Sequence, residues 1–236
     1  MRKNPNTCIL LFVKYPEKGK VKRRLTTDID EETIQELYRC FVDDTLTTIK
    51  KINTHLFICF FPVDAEKKFH EWLGSIFSFL PQKGTDLGEQ MKNCFSDAFT
   101  KGFRKVVLMG SDSPDLPEAF LQSAFAELQT HDVVLGPSSD GGYYLIGFRN
   151  TTFTPNILEE IHWSTPMVFK ETMAKIKGTN QSVSILPIWS DVDTITDLRN
   201  LVSRSKNTAF KSSHTITFLQ QHNISLEQSH ETKSKS

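Results

Sequence analysis

Three segments of this chain carry residues whose types and spacing could do chemistry on a phosphorylated ligand. The first, K-Y-P-E-K-G-K-V-K-R-R-L at residues 14–25, gathers Lys14, Lys18, Lys20, Lys22, Arg23 and Arg24 around Gly19. A glycine-containing loop lets backbone N–H groups approach an anion, and clustered Lys and Arg add charge-assisted bonds to phosphate oxygens. The spacing is not that of a Walker loop, which ends in G-K-[ST] and opens a helix at once. The second segment, G-S-D-S-P-D-L-P at residues 110–117, places Asp112 where a carboxylate could share Mg²⁺ or Mn²⁺ with phosphate oxygens. Asp115 is placed less clearly, since it could merely organise the turn into the next helix. The third is W-S-D-V-D-T at residues 189–194: Asp191 and Asp193 face the same side if the strand continues, and could complete a coordination shell begun by Asp112. Against these stand plainer readings, a solvated basic loop for the first and turn residues for the acids.

Two further segments are weaker. P-Q-K-G-T-D-L-G-E-Q-M at residues 81–91 sets Gln82, Gly84 and Gly88 before a helix, where an amide could read a nucleobase edge and a helix N-terminus could face phosphate. G-P-S-S-D-G-G-Y-Y-L-I-G at residues 136–147 joins a Gly-Gly turn to Asp140, a candidate for binding sugar hydroxyls or acting as base. Tyr143 or Tyr144 could offer a stacking surface, or both could belong to the core. His162, Trp163, Ser164 and Thr165 form a polar-aromatic cluster that could close over an acceptor. None of the seven histidines pairs with Ser or Cys in a nucleophile motif, which sets aside a covalent triad.

The elements that must position these groups follow from the apolar pattern. Residues 7–13 and 55–61 are solid apolar runs, the mark of strands buried on both faces, and residues 30–51 between them have helical spacing. Helices are expected at 64–73, 87–102 and 117–129, and strands near 77–80 and at 105–109, 132–136, 143–148 and 183–188. The short link P-S-S-D-G-G predicts an antiparallel pair. Thr165-Pro166 reads as the start of a helix to Lys177, and Thr194 with Asp197 as a capping box. The pattern implies a three-layer α/β/α domain with a mainly parallel sheet and one antiparallel strand, whose ligands bind outside the carboxyl ends of the strands. The domain is expected over residues 1–204, a helical extension over 205–226 and a disordered tail over 227–236.

At 236 residues the chain suits one extended domain, and 38% hydrophobic with 24% charged residues is ordinary for a globular protein. Twenty-eight basic residues balance twenty-eight acidic ones, so nothing in the overall field favours nucleic acid or a membrane surface, and any anion site must be local. Cys8, Cys40, Cys59 and Cys94 are spread apart and read as reduced core thiols. The opening residues resemble neither a signal sequence nor a membrane span, so a cytoplasmic location is the expectation. Oligomeric state is not legible, and a homodimer is a guess.

Taken in order from Lys14 to Thr194, the segments resemble a family of bacterial proteins with a GT-A-type, nucleotide-diphospho-sugar transferase-like fold. Its pattern is a K-x-P-x-x-G-x-V-K-T-R-L loop, Q-x-x-G-D-L-G, G-x-D-x-P-D-L, G-P-x-x-D-G-G-Y-Y-L-I-G, W-S-T and D-V-D-T. The resemblance implies a nucleotide held by the first loop (Lys14, Gly19, Lys22, Arg24) and by Gln82, Gly84 and Gly88. It implies a metal on Asp112 with Asp191 or Asp193. The sequence departs from the pattern at Arg23, Lys83, Thr85, Gln90 and Ser113, leaving the acidic positions intact. The implied activity is metal-dependent glycosyl transfer from a nucleotide sugar to a small acceptor, with Asp112, Asp140 and Lys22 as the catalytic candidates and Mg²⁺ or Mn²⁺ as cofactor. Relatives of the same fold include the molybdenum-cofactor and phospholactate guanylyltransferases. The alternative is therefore a nucleotidylyltransferase that joins a nucleoside triphosphate to a phosphorylated acceptor. A non-catalytic nucleotide-binding module is the third class, and three acidic positions at strand ends argue against it.

Overall fold

A computed structural model describes residues 4–222 and residue 224. The elements in chain order are β1 (Thr7–Lys14), α1 (Glu31–Ile49), β2 (His55–Phe61), α2 (Glu66–Leu73), β3 (Ser78–Pro81), α3 (Leu87–Thr100), β4 (Lys105–Gly110), α4 (Glu118–Glu127), β5 (Val133–Pro137), β6 (Tyr143–Arg149), α5 (Val168–Lys177), β7 (Val183–Ile185), α6 (Ile195–Ser205) and α7 (His214–Gln221). Short 3-10 turns at Arg23–Leu25, Pro155–Leu158 and Ala209–Ser212 lie between them.

The described residues form one seven-stranded sheet in the order β3-β2-β1-β4-β6-β5-β7. Every neighbouring pair is parallel except those of β6, which runs antiparallel to both β4 and β5. The short link at residues 138–142 forces that reversal, because a parallel return needs a crossover of a dozen or more residues. Its effect is to bring the turn before β6 to the rim where β4 and β5 end.

Why β1 is apolar throughout is plain from its two faces. Ile9, Leu11 and Val13 point into a core built with Leu37 and Phe41 of α1, Leu121 of α4 and Leu198 of α6. Cys8 and Leu10 point the other way, against Cys94 and Phe95 of α3. Strand β4 divides likewise, Val107 and Met109 to the first core, Val106 and Leu108 to the second. A sheet covered on both sides by helices leaves its central strands no polar face, and the functional groups are confined to the loops at the strand ends. Cys8, Cys59 and Cys94 are buried thiols and Cys40 a partly buried one.

Three expectations need correction. Helix α5 starts at Val168, not at Thr165: the Thr165 hydroxyl donates to His162 O (2.7 Å), and Pro166 lies against Gly141, so residues 165–167 form a turn. Strand β7 ends at Ile185, and the chain continues extended to Trp189, which bridges Ser138. The last helix starts earlier than expected, at His214, with Asp44 of α1 accepting from the backbone N–H groups of His214 (2.9 Å) and Thr215 (2.8 Å). It sets Ile216 and Leu219 into the same core as α1. The expected disordered tail, and residues 223, 225 and 226 of the expected helix, lie outside the described residues.

Candidate active site

Lys22 is the centre of the arrangement. It stands in the left-handed region (φ 46°) immediately before the 3-10 turn, and its side chain is only 3% exposed. The ammonium forms ion pairs with Asp112 Oδ1 and with Asp193 Oδ1 (2.8 Å), and lies 5.8 Å above the Phe41 ring. Burial alone would lower its pKa; Asp112 and Asp193 more than reverse this and raise it above the ordinary lysine value. The lysine is therefore a fixed cation at working pH. Three residues singled out in the sequence, the outer two 171 positions apart, thus meet on one nitrogen atom.

Each acid is held by its own loop. Asp112 follows β4, and its carbonyl accepts from Val192 N–H (2.9 Å), which joins the loop after β4 to the loop after β7. Asp193 precedes the capping box in which Thr194 and Asp197 satisfy the first turn of α6. Burial pushes the Asp193 carboxyl upward, and Lys22, Arg24 and Lys14 outweigh it, so its pKa is lowered. Lys14, at the end of β1, and Arg24, two residues after Lys22, are both exposed. The Tyr38 hydroxyl, buried and with its pKa pushed up to about 12 by burial and by Asp112, accepts from Lys14 N–H (3.1 Å) and shares a bond with Ser111 Oγ (2.9 Å). It pins the end of β1 to the end of β4. Nothing in its helical spacing marked it for that role.

Asp191 differs in kind. Burial first, then Asp140 and Asp193, raise its pKa to about 6. A carboxyl whose folded pKa lies above its unfolded value of roughly 3.9 holds its proton preferentially when folded, so stability falls as pH rises from about 4 through 6. Asp191→Asn should match the parent near pH 4 and exceed it above pH 6 by on the order of 1–2 kcal/mol, after allowing for solvent screening. Urea unfolding at pH 4 and pH 7.5 checks it, and equal differences at both pH values would contradict the assignment.

Asp140 occupies a tight turn: Ser138 Oγ and Gly142 N–H (2.9 Å) both donate to its Oδ1. Gly141 (φ 93°) is required there, because a Cβ would overlap the Pro166 carbonyl. Tyr144 is buried and donates to Pro187 O (3.0 Å), while the Tyr143 ring meets Trp163 edge-on at 6.4 Å; both belong to the core. His162 Nδ1 pairs with Glu171 (2.9 Å).

The glutamine loop turns inward more than the sequence suggested. Gln82 is buried and its amide nitrogen donates to Cys59 O (2.6 Å) and Val13 O (3.5 Å), bracing the ends of β1 and β2, so that N–H group is not aimed at a base. The first turn of α3 is capped by Asp86, which accepts from Glu89 N–H (2.8 Å), and Glu89 in turn accepts from Thr85. Two carboxylates already face that helix N-terminus. Gly88 is a close-approach glycine, since a Cβ there would overlap the Leu158 carbonyl and press on Trp163. Gly84 lies in the loop between Gln82 and this helix, and Gly19 between Lys18 and Lys20 of the basic loop.

Asp115 is not with the other acids. It forms a bidentate pair with Arg204, an arginine the sequence did not single out, and its side chain is 4% exposed.

Among the described residues no three His, Cys, Asp or Glu side chains converge into a ready-made metal cage. The carboxylates of Asp112, Asp191 and Asp193 are nonetheless the hard oxygen donors a divalent cation takes, with one oxygen each of Asp112 and Asp193 turned to Lys22.

Comparison with known proteins matches residues 45–165 to the family described as "uncharacterized protein conserved in bacteria (DUF2064)". A crystal structure from Desulfovibrio desulfuricans G20, provisionally described as a nucleotide-diphospho-sugar transferase, is 44% identical, covering 92% of this chain and 95% of that one, with a TM-score of 0.89. The chain belongs to this family. More distant members of the fold are a Mycobacterium tuberculosis H37Rv protein in complex with manganese (16% identity, 84% of this chain and 97% of that one, TM-score 0.53) and the 4-diphosphocytidyl-2C-methyl-D-erythritol synthase of Anaerococcus prevotii DSM 20548 (9%, 86% and 100%, TM-score 0.56). These likenesses show the fold, a GT-A-like three-layer α/β/α arrangement. No curated protein matches the chain. No helix of the described residues is long and apolar enough to cross a membrane.

Proposed function

We propose that this protein is a transferase that takes a nucleotide sugar together with a divalent cation and passes the sugar to the hydroxyl of a small acceptor. The observation that carries the reading is the Lys22 ammonium, buried between Asp112 and Asp193 at the rim where β1 and β4 end. The family relationship to the Desulfovibrio protein supports it.

In this reading the sugar–oxygen bond to the diphosphate breaks, and negative charge grows on the departing diphosphate. Lys22 meets that charge from a fixed position, and Lys14 and Arg24 bind the flanking oxygens, so little reorganisation is needed as the bond breaks. Asp112, Asp193 and Asp191 are the residues that would hold Mg²⁺ or Mn²⁺, which supplies further positive charge to the diphosphate. Asp140 orients the acceptor hydroxyl and takes its proton as the new sugar–oxygen bond forms. Manganese is the ion to try first, being the one in the Mycobacterium complex.

Nucleotidylyl transfer is the second reading, and one feature favours it. Lys14, Lys18, Lys20, Lys22, Arg23 and Arg24 are gathered in the segment from the end of β1 to the first 3-10 turn, a concentration of positive charge suited to the β and γ phosphates of a triphosphate. Calorimetric titration of UDP, GDP, CDP and ADP, their sugars and their triphosphates, with and without Mn²⁺ or Mg²⁺, separates the two. Metal-dependent tightening for one nucleotide sugar, lost in Asp112→Asn, is the expected result. Preference for a triphosphate would move the assignment to nucleotidylyl transfer, and no nucleotide binding at all would remove both.

A further inference from the structure

We infer that Arg204 is a positioning residue that fixes the distance between the two acidic loops and so sets how tightly the site takes a divalent cation; this rests on the reading of the site given above. Arg204 lies in the last turn of α6, 89 positions from Asp115. Its Nε donates to Asp115 Oδ2 at 2.6 Å and its Nη2 to Asp115 Oδ1 at 2.9 Å. Nη2 also donates to the Ser190 carbonyl at 3.3 Å, and the guanidinium lies 5.6 Å above the Trp189 ring. Trp189 closes the circle by donating from Nε1 to Asp115 Oδ1 at 3.2 Å, while Phe120 of α4 meets its ring edge-on at 5.3 Å.

One planar group thus joins the loop after β4, just past Asp112, to the loop after β7, just before Asp191. The bonds from Val192 N–H to Asp112 O and from Trp189 Nε1 to Asp115 Oδ1 are further ties between the same two loops, and Lys22 bridges their acids. Arg204 differs from these in gripping both loops with one planar fork, which holds the angle between them as well as the separation. With its carboxylate almost sealed from water, Asp115 has no solvent alternative to Arg204. Lysine cannot substitute, because it offers a point charge in place of a fork and does not stack on the indole.

The test compares the full-length parent with Arg204→Lys, Asp115→Asn, the double variant, and Leu198→Ala, which opens a cavity beneath the same helix. Mn²⁺ binding is read directly from the paramagnetic resonance of free Mn²⁺, and melting temperature is recorded alongside. Arg204→Lys and Asp115→Asn should each weaken Mn²⁺ binding at least tenfold, with no further loss in the double variant. Leu198→Ala should lower the melting temperature as far and leave Mn²⁺ affinity within twofold. If the parent binds Mn²⁺ and Arg204→Lys stays within twofold of it, or if Leu198→Ala weakens binding equally, the positioning role is overturned while the site assignment stands. A parent that binds no Mn²⁺ overturns both.

Discussion

Lys22→Met is expected to abolish most turnover while leaving the protein folded. Its ammonium is the one cation enclosed between Asp112 and Asp193, and a preorganised charge of this kind is worth roughly 10²–10³ in rate when it meets charge that develops in the transition state. Stability should suffer far less. Breaking a fully buried ion pair typically costs about 3–5 kcal/mol, because the partner left behind is sealed from water. Here the partners are 52% and 38% exposed, so both carboxylates can rehydrate once the lysine is gone. Methionine keeps the apolar stem against Phe41. The measurements are kcat with the donor found by the nucleotide titrations, and the melting temperature. A drop in kcat below tenfold would show that the diphosphate is stabilised elsewhere.

Asp112→Asn is the companion case, and its signature should differ. The amide keeps the shape of the side chain, and the Val192 N–H bond falls on the backbone carbonyl, so the loop stays in place. What is lost is the negative charge that a hard cation needs, and with it a large share of metal-dependent turnover, on the order of 10²–10⁴. The loss should appear as a raised metal requirement as well as lower kcat, whereas Lys22→Met should leave the metal affinity equal to or better than the parent's. A rate plotted against Mn²⁺ concentration for both variants separates the roles. If the two curves shift alike, the lysine and the aspartate do not act on different charges.

The site was partly legible from sequence for a definite reason. In a doubly covered sheet the central strands are uninterrupted apolar runs, so β1, β2 and β4 declare themselves, and polar clusters directly after them fall on the ligand rim. Lys22, Asp112 and Asp193 are nominated that way and the structure brings them together, and the Thr194 capping box marks the start of α6. What could not be read were choices of partner made across the fold. Gln82 looked like a free amide because nothing local shows that the carbonyls of Val13 and Cys59 lie beside it. Asp115 is placed less clearly than Asp112 by the sequence, and nothing local shows that Arg204 occupies it. Thr165-Pro166 has the local form of a helix start, and packing of Pro166 on Gly141 overrides it. Local chemistry nominates residues; long-range contacts decide among them.

The seam between β1 and β4 has a consequence for how the protein is made. Thr7 lies opposite Lys105, far along the chain, whereas β2 joins β1, and β3 joins β2, through shorter, more local connections. Closing so long a loop is entropically slow, and topologies rich in such pairings fold late at those contacts. Lys22 belongs to the early half of the chain, Asp193 to the late half, and Asp112 sits beyond the seam with it. A half-folded chain can therefore hold β1, β2 and β3 together while Lys22 still lacks both Asp112 and Asp193, and the three side chains meet only once β4 and the segment after β7 have docked.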